Sequence, residues 1–456
     1  NNIKDRLHEK HREAKQALNE FLENTNAKGI SISVVKGKEI EYSMGAGFSN
    51  VDKSYKMSPY HTMHRWASTT KSLVSLSAVI LDRMGFIDID KPINEYWDKY
   101  PDSLEYFSDV EELFIENQEA ETELSGSIPL PGFIPPPKFI PPPVYIPPPE
   151  IPTIRDLLSM RSGVQNYYRC EDCDTTKMLP DRKEEINPEI NTGIRWLVER
   201  WIDGPLGNPQ GFYLYSNPGY NLACVVMEEA FNQKVNGKAK YFELLEYYLL
   251  KPMGMNSVQV DYPWDSSELD TKAYDKNGDL VLEKDCLFDE YGNEYGCVEE
   301  DDVSSKMCAG GIESTTYDVA KYILELINLN EVVKAEDLDQ IWSVETQTNF
   351  EGDIKNYGLG FKIFRGANFS NSVYHDGNQE GASNHLRVYL DPCDSRRGVD
   401  GIIIRTNVKK IKPNFPKLKH GEKSQMDILR EKLEEIFKMG RDFGPTCDKY
   451  ENLNDL

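Results

Sequence analysis

The feature that most constrains the fold is an apolar stretch that follows Ser68-Thr69-Thr70-Lys71 and runs to Leu81. Within it, apolar residues recur at the spacing of one helix face, at Leu73, Leu76, Val79 and Ile80. This periodicity predicts a buried helix from about Thr69 to Met84. Gly85 follows directly and fits the residue that ends such a helix.

Two polar residues at the start of this predicted helix can carry chemistry. Ser68 and Lys71 are one helical turn apart, so their side chains share a face. A serine hydroxyl becomes a good nucleophile when a neighbouring base removes its proton, and a desolvated lysine can be that base. The helix N-terminus also directs N–H groups at developing negative charge. The pair taken alone also fits a Ser N-cap followed by a solvated lysine.

The charge balance limits the classes of partner. The 456 residues include 52 Lys and Arg and 76 Asp and Glu, a formal net charge of -24. Nucleic acid and anionic membranes repel such a surface. No apolar run approaches the length of a membrane-spanning helix. With 39% hydrophobic residues, the chain can build one large domain or two interleaved ones.

Several features favour a secreted or extracytoplasmic protein. The eight cysteines are an even number, and Asn368-Phe369-Ser370 is a glycosylation sequon. The chain begins at Asn1 rather than Met, so we expect that a leader has been removed. Cys224 lies in the apolar run 221–226, and we interpret it as a core residue rather than a disulfide partner.

The order of patterns along the chain predicts an α/β fold. Residues 30–35 and 39–44 alternate with a period of two around Gly37, which predicts a hairpin. Strand patterns return only after residue 357, and an amphipathic helix begins at Gln425. The region between is mainly helical. The sheet should therefore combine both chain ends, with a helical lobe inserted between them.

A proline-rich repeat interrupts the helical region after an acidic stretch. Its three units of six residues, 133–138, 139–144 and 145–150, each contain an aromatic residue, Ile and three prolines. Polyproline II has three residues per turn, so Phe133, Phe139 and Tyr145 share one edge. A stiff spacer is one interpretation. We favour docking on this subunit or on a second copy, because exposed apolar edges are usually covered.

Two further polar clusters complement Ser68. In Tyr215-Ser216-Asn217, the hydroxyl can transfer a proton and the amide can hold both Lys71 and a substrate carbonyl. In His375-Asp376-Gly377, the glycine lets a substrate backbone approach closely. His375 can donate a hydrogen bond or carry a proton. An aromatic turn and an ordinary histidine are the alternatives.

The three clusters, in this order, resemble the motifs of the serine β-lactamase and penicillin-binding-protein superfamily. The branch of class C β-lactamases, D-peptidases and esterases is the most similar. Further segments are similar in sequence to this branch, namely 153–158, 162–164, 215–220, 252–255, 309–315 and 357–361. The resemblance implies an antiparallel sheet flanked by helices from both chain ends, with an inserted helical lobe.

The resemblance also implies roles for single residues. Ser68 would be the nucleophile, and Lys71 and Tyr215 would share the general acid and base work, with the first proton acceptor left open. Asn217 would position Lys71 and the substrate. The N–H groups of Ser68 and Asn378 would form the oxyanion hole, with Gly377 beside the substrate. No cofactor or metal is implied.

His375 stands where the β-lactamases usually carry lysine. A histidine is mostly neutral at neutral pH, so the site lacks a fixed charge for a substrate carboxylate. We therefore expect esters, amides or peptides to be better substrates than penicillins. The proline-rich insertion and the long acidic segment 262–306 are also foreign to the family.

The resemblance sets the predicted domain limits. A β-lactamase-like domain covers 1–408, with its helical lobe at 86–308 and an insertion at 102–152. The α/β region combines 1–85 with 309–440, and a C-terminal helix and tail occupy 409–456.

Three functions compete at this point. The first is a serine hydrolase that acts through an acyl-enzyme on a small molecule or peptide. The second is a structural or assembly protein that keeps the fold, with the proline-rich repeat as its contact to other copies. The third is a module that binds peptides without turnover. The presence of Ser68, Lys71, Tyr215 and Asn217 together favours the hydrolase, while homo-oligomerisation stays open for all three.

Overall fold

The structure of the protein is a computed structural model. The residues it describes are 2–101, 149–166, 195, 198, 206–207, 209–261, 270–272, 274, 285–288, 294–298, 303–349, 352–365, 371–394, 396–409, 411 and 423–440. The proline-rich insertion up to residue 148, the sequon at Asn368 and most of the acidic segment 262–306 lie outside them. Among the described residues, no helix is long and apolar enough to cross a membrane.

The α-helices of the described residues are α1 (Asn2–Asn24), α2 (Thr70–Arg83), α3 (Ile154–Leu158), α4 (Asn217–Val235), α5 (Tyr241–Leu245), α6 (Thr316–Asn328), α7 (Ala335–Trp342) and α8 (Gln425–Phe437). Short 3-10 turns cover Ala67–Thr69, Ile93–Glu95 and Ser304–Lys306, and a π-helical turn covers Glu246–Leu250.

The strands are β1 (Gly29–Lys36), β2 (Glu39–Asn50), β3 (Tyr55–Lys56), β4 (His64–Arg65), β5 (Gln259–Val260), β6 (Asp285–Phe288), β7 (Glu294–Val298), β8 (Ile312–Ser314), β9 (Thr346–Thr348), β10 (Ile354–Tyr357), β11 (Lys362–Phe364), β12 (Ser372–Gln379), β13 (Ala382–Leu390) and β14 (Gly398–Thr406).

The main sheet joins the two ends of the chain. Its strand order is β3-β2-β1-β14-β13-β12-β11-β10-β9, and all neighbouring pairs are antiparallel. β1 pairs with β14 in a register that places Ile32 opposite Ile404. This seam between an N-terminal and a C-terminal strand confirms the predicted split sheet flanked by helices. β4, β8 and β5 form a separate small sheet.

The two faces of the main sheet cover two apolar clusters. Ile32 on β1 and Ile404 on β14 pack with Leu18 of α1 and Leu433 of α8 on one face. The opposite face and the helical region share the larger cluster, which includes residues of α2, α4 and α6. Alternation along the strands produces this division because successive side chains point to opposite faces. Helices therefore cover the sheet on both sides.

Helix α2 forms the centre of the larger cluster, as its apolar pattern predicts. Every residue from Thr70 to Leu81 is buried, including the amine of Lys71. Gly85 follows the helix with a φ of 74°, the left-handed conformation that favours glycine. Because the helix is buried on all sides as far as Leu81, its N-terminus lies within the protein, next to the half-buried Ser68.

One prediction from the sequence is wrong. Cys224 is fully buried, but it forms a disulfide with Cys308, 84 residues further along the chain. The surrounding apolar run indicates burial equally well for a thiol and for a disulfide, so it could not separate the two. Cys393 is also disulfide-bonded.

Candidate active site

The turn Ala67–Thr69 places Ser68 at the start of α2. Ala67 has a φ of 49°, in the left-handed region that a residue with a Cβ adopts at a cost on the order of 1 kcal/mol. Ser68 itself is only half-buried, although both of its neighbours are buried. The strained residue thus turns the serine side chain towards an accessible position while the helix behind it stays in the core.

Contacts on both sides hold this turn. The indole N–H of Trp66 donates to Oγ of Ser314 over 2.6 Å, and Nδ2 of Asn384 donates to the Trp66 carbonyl over 3.0 Å. A Cβ on Gly377 would lie 3.1 Å from that of Ala67, and one on Gly310 would lie 3.0 Å from the Ala67 carbonyl carbon. Glycine at both positions lets β12 and the loop before β8 close on the turn.

Lys71 is fully buried and surrounded by three oxygens. Its Nζ lies 3.2 Å from Oγ of Ser68, 2.8 Å from Oδ1 of Asn217 and 2.7 Å from the carbonyl oxygen of Ala309. Burial lowers the pKa of Lys71 well below its ordinary value of 10.5. The amine also lies 4.9 Å from the ring centre of Tyr215. Desolvation therefore favours the neutral amine in contact with the serine hydroxyl.

Tyr215 contacts the same serine from another side. Its hydroxyl donates to Oγ of Ser68 over 2.7 Å. Burial raises the pKa of Tyr215 to about 12, against a smaller opposing effect of the bond to Ser68. The phenol consequently keeps its proton around neutral pH. Ser68 thus lies between two buried side chains. Burial favours the neutral amine of Lys71 and the protonated phenol of Tyr215.

Asn217 is the first residue of α4, and its neighbours determine how its amide is oriented. Ser216 caps the helix by accepting the N–H of Gly219 over 2.9 Å. The Nδ2 atom of Asn217 donates to Oδ1 of Asn166 over 3.3 Å. Its Oδ1 is therefore left to accept from Lys71. No sequence pattern indicates Asn166, since it lies 51 positions before the residue that it orients.

His375 lies on β12 and is 1% exposed. Its Nδ1 lies 2.7 Å from the carbonyl oxygen of Asp376, which can only accept, so Nδ1 carries the proton. Its Nε2 then accepts from the hydroxyl of Tyr357 over 3.2 Å. Chiefly burial lowers the pKa of His375 to about 3. The histidine is a neutral ring whose two nitrogens are both engaged by protein groups.

Gly377 and Asn378 follow on the same strand. β12 runs beside the Ala67–Thr69 turn, and a Cβ on Gly377 would lie 2.8 Å from the carbonyl oxygen of Trp66. The side chain of Asn378 accepts from Oγ of Ser383 over 2.8 Å. Within the described residues, no group of three or more His, Cys, Asp or Glu side chains is arranged to hold a metal ion.

The structure thus brings Ser68, Lys71, Tyr215 and Asn217 into one hydrogen-bonded group and places β12, with His375, beside it. Sequence reasoning missed three groups, which are the Ala309 carbonyl, Asn166 and Tyr357. Ala309 lies in a segment that resembles the family, but any residue type can provide a backbone carbonyl, so the sequence did not indicate this acceptor. Tyr357 is the first residue of another segment that resembles the family. The sequence therefore marked its position, but it did not indicate that its hydroxyl bonds to His375.

Comparison with known families decides the relationship. The family model described as Beta-lactamase matches residues 14–392. The chain belongs to the beta-lactamase family. A relative of this beta-lactamase-family protein is Penicillin-binding protein 4* of Bacillus subtilis (strain 168), 25% identical over 242 residues. The match covers 52% of this chain and 49% of the relative, so the chain spans about half the length of that protein.

Solved structures share the fold at low identity. The D-amino acid amidase from Ochrobactrum anthropi SV3, complexed with L-phenylalanine amide, has a TM-score of 0.60 and 16% identity, over 94% of this chain and 99% of that one. EstCE1, a hydrolase with promiscuous acyltransferase activity, has a TM-score of 0.63 and 13% identity over the same shares. The octameric penicillin-binding protein homologue from Pyrococcus abyssi has a TM-score of 0.56 and 18% identity, over 88% of this chain and 73% of that one.

Proposed function

We propose that this protein is a serine hydrolase that cleaves an ester, amide or peptide bond through an acyl-enzyme on Ser68. The observation that carries the proposal is the double contact of the Ser68 oxygen, 3.2 Å from Lys71 Nζ and 2.7 Å from the Tyr215 hydroxyl. Base, nucleophile and acid are then in direct contact, which is what nucleophilic catalysis by serine requires.

Lys71 is the general base in this proposal. Oδ1 of Asn217 and the carbonyl oxygen of Ala309 can only accept hydrogen bonds, and a neutral amine has two N–H groups to donate to them. The lone pair of the Lys71 amine is then free to accept the proton of the Ser68 hydroxyl. A neutral amine needs a depressed pKa, and burial supplies it.

Tyr215 acts as the acid. A phenol with a pKa of about 12 holds its proton at neutral pH and so is a poor first base. It can give that proton to the leaving group as the bond breaks and take one back from the water that attacks the acyl-enzyme. This division of work follows from two buried groups whose pKa values are driven in opposite directions.

The reaction then has two halves. The Ser68 proton passes to Lys71, Oγ forms a bond to the substrate carbonyl carbon, and the carbonyl oxygen takes the negative charge. The N–H groups of Ser68 and Asn378 stabilise that charge, and the leaving group departs with a proton from Tyr215. In the second half, the Tyr215 phenolate takes a proton from water as its oxygen attacks the acyl carbon. Protonated Lys71 returns its proton to Ser68 Oγ, which leaves, so the acid is released and all three side chains are restored.

The neutral state of His375 supports the proposed substrate class. With its Nδ1 proton engaged by the Asp376 carbonyl and its pKa at about 3, it offers no positive charge to a substrate carboxylate. Esters and amides without that carboxylate should therefore bind better than penicillins. The named activities of the structural neighbours make short esters and D-amino acid amides the first substrates to test.

The disulfides support a secreted or extracytoplasmic location, since disulfides persist in oxidising compartments. A structural protein that only keeps the fold is the alternative. A scaffold would gain nothing from a buried lysine beside an accessible serine, because burying an amine destabilises the protein. Assembly remains compatible with catalysis, and an octameric homologue has a similar fold.

The proposal is tested with a panel of short-chain esters and D-amino acid amides. Ser68→Ala and Lys71→Ala should each remove nearly all turnover, and the double variant should be no slower, because residues that act as one unit are not additive. Circular dichroism serves as the folding control. Turnover in Ser68→Ala equal to that of the wild type would refute the proposal. A double variant much slower than either single variant would refute the shared unit.

A further inference from the structure

The disulfide Cys224–Cys308 lies next to the proposed catalytic lysine. Cys308 directly precedes Ala309, whose carbonyl oxygen is 2.7 Å from Lys71 Nζ. Both cysteines are fully buried. The disulfide therefore anchors the backbone one residue away from a contact that the proposed chemistry depends on.

The other half of the disulfide belongs to the helix that holds Lys71 from the opposite side. Asn217, Tyr220 and Cys224 follow one another at spacings of three and four residues on α4, so they lie along one helix face. Asn217 Oδ1 accepts from Lys71 over 2.8 Å, and the Tyr220 ring centre lies 5.5 Å from the amine. This single face thus contacts the lysine at its first turns and bonds covalently to the Ala309 loop two turns later.

The loop that carries Ala309 is also held by hydrogen bonds. The N–H groups of Ala309 and Gly310 donate to the Lys306 carbonyl within the same loop, which shapes it without fixing its place. From outside the loop, Nε2 of Gln379 donates to the Gly310 carbonyl over 3.1 Å. The covalent link to α4 is the strongest of these restraints, and it joins the loop to the helix that carries Asn217.

We propose that Cys224–Cys308 is a positioning element for catalysis, which holds the Ala309 carbonyl against Lys71 so that the lone pair of the amine points at Ser68. This inference rests on the proposed hydrolase function. Without the link, the loop can move away and admit water to the amine. Lys71 then regains solvation, a smaller fraction of it is neutral at a given pH, and its lone pair is no longer directed.

A disulfide that only stabilised the fold would behave differently. It would lower the free energy of the folded state relative to the unfolded chain without affecting the protonation of Lys71. The two roles therefore separate in the pH dependence of the reaction rather than in the melting temperature.

The test uses the full chain with Cys224→Ala and Cys308→Ala combined. The second-order rate of Ser68 labelling by a fluorescent fluorophosphonate is measured against pH, with the melting temperature measured in parallel. We expect the rate at neutral pH to fall about ten- to a hundredfold, the loss typical of a small misplacement. We also expect the acidic limb of the profile to move to higher pH. Cys224→Val with Cys308→Ala refills the core if the first variant does not fold.

Leu433→Ala is the matched control. Leu433 is fully buried in the second apolar cluster, on the far face of the sheet, so this variant also loses stability. Its acidic limb should stay at the wild-type pH. An unmoved limb in the cysteine variants, with or without a slower rate, would overturn the inference. Absence of labelling in the wild type would instead refute the proposed function, so the two failures are distinguishable.

Discussion

The Nε2 atom of His375 lies 3.2 Å from the hydroxyl of Tyr357, beside the Ser68–Lys71 pair. Both side chains are buried, and the Tyr357 ring also packs against Tyr213 at 5.4 Å between ring centres. Nε2 of His375 is therefore directed at the hydroxyl of Tyr357. At the position where the resemblance to the family implies a lysine, this chain has a neutral ring whose two nitrogens are both hydrogen-bonded.

This relationship predicts how substrate preference responds to charge. His375→Lys should raise kcat/KM for carboxylate-bearing substrates relative to neutral esters, because an ammonium group attracts a carboxylate in a desolvated site. Paired kcat/KM values for a neutral ester and its carboxylate analogue measure the effect. Tyr357→Phe is the matched control, since it removes the hydroxyl and adds no charge. Equal ratios in His375→Lys and the wild type would show that this position does not select for charge.

The pH dependence of kcat/KM separates the roles of Lys71 and Tyr215. The rate should rise with pH as Lys71 loses its proton at its lowered pKa, and Tyr215, with a pKa of about 12, should cause no descending limb near neutrality. Tyr215→Phe should keep the rising limb. It should slow amides more than nitrophenyl esters, whose leaving group needs no proton.

Steady-state profiles for one amide and one nitrophenyl ester provide this measurement. Loss of the rising limb in Tyr215→Phe, with equal damage to both substrates, would identify the tyrosine as the base instead.

Burial of Lys71 also predicts how stability depends on pH. The pKa of the lysine is lower in the folded than in the unfolded chain, so below 10.5 the unfolded chain binds more protons and stability rises with pH. The free energy of unfolding of the wild type relative to Lys71→Met should therefore increase with pH between the lowered pKa of the folded state and 10.5, by as much as about 1.4 kcal/mol per pH unit.

Denaturant unfolding at a series of pH values measures this difference. Lys38→Met, which removes a lysine at an exposed position in the β1–β2 turn, is the matched control. A difference between wild type and Lys71→Met that stayed constant with pH would mean that the buried amine keeps its proton.

Sequence patterns could predict the elements whose signal is local or periodic. The apolar run after Lys71 located α2, and the alternating segments around Gly37 located the first hairpin. The resemblance to the family linked three polar clusters that lie far apart in the sequence. Each of these depends on residue type and spacing, which the sequence displays directly.

The remaining features depend on tertiary contacts. The Ala309 carbonyl is an acceptor that any residue could provide, and the strained φ of Ala67 arises from how the turn packs against β8 and β13. The partner of Cys224 could not be identified because eight cysteines allow many pairings. The neutral tautomer of His375 required its two hydrogen-bond partners to be known.

The most direct test of the account is to trap the acyl-enzyme. The wild type is mixed with a short-chain ester, quenched in acid and digested, and the acylated peptide is sequenced by mass spectrometry. We predict one acyl group on Ser68, absent in Ser68→Ala and formed far more slowly in Lys71→Ala. Turnover of the ester with the acyl group on another residue, or with unchanged rate in Ser68→Ala, would contradict the account.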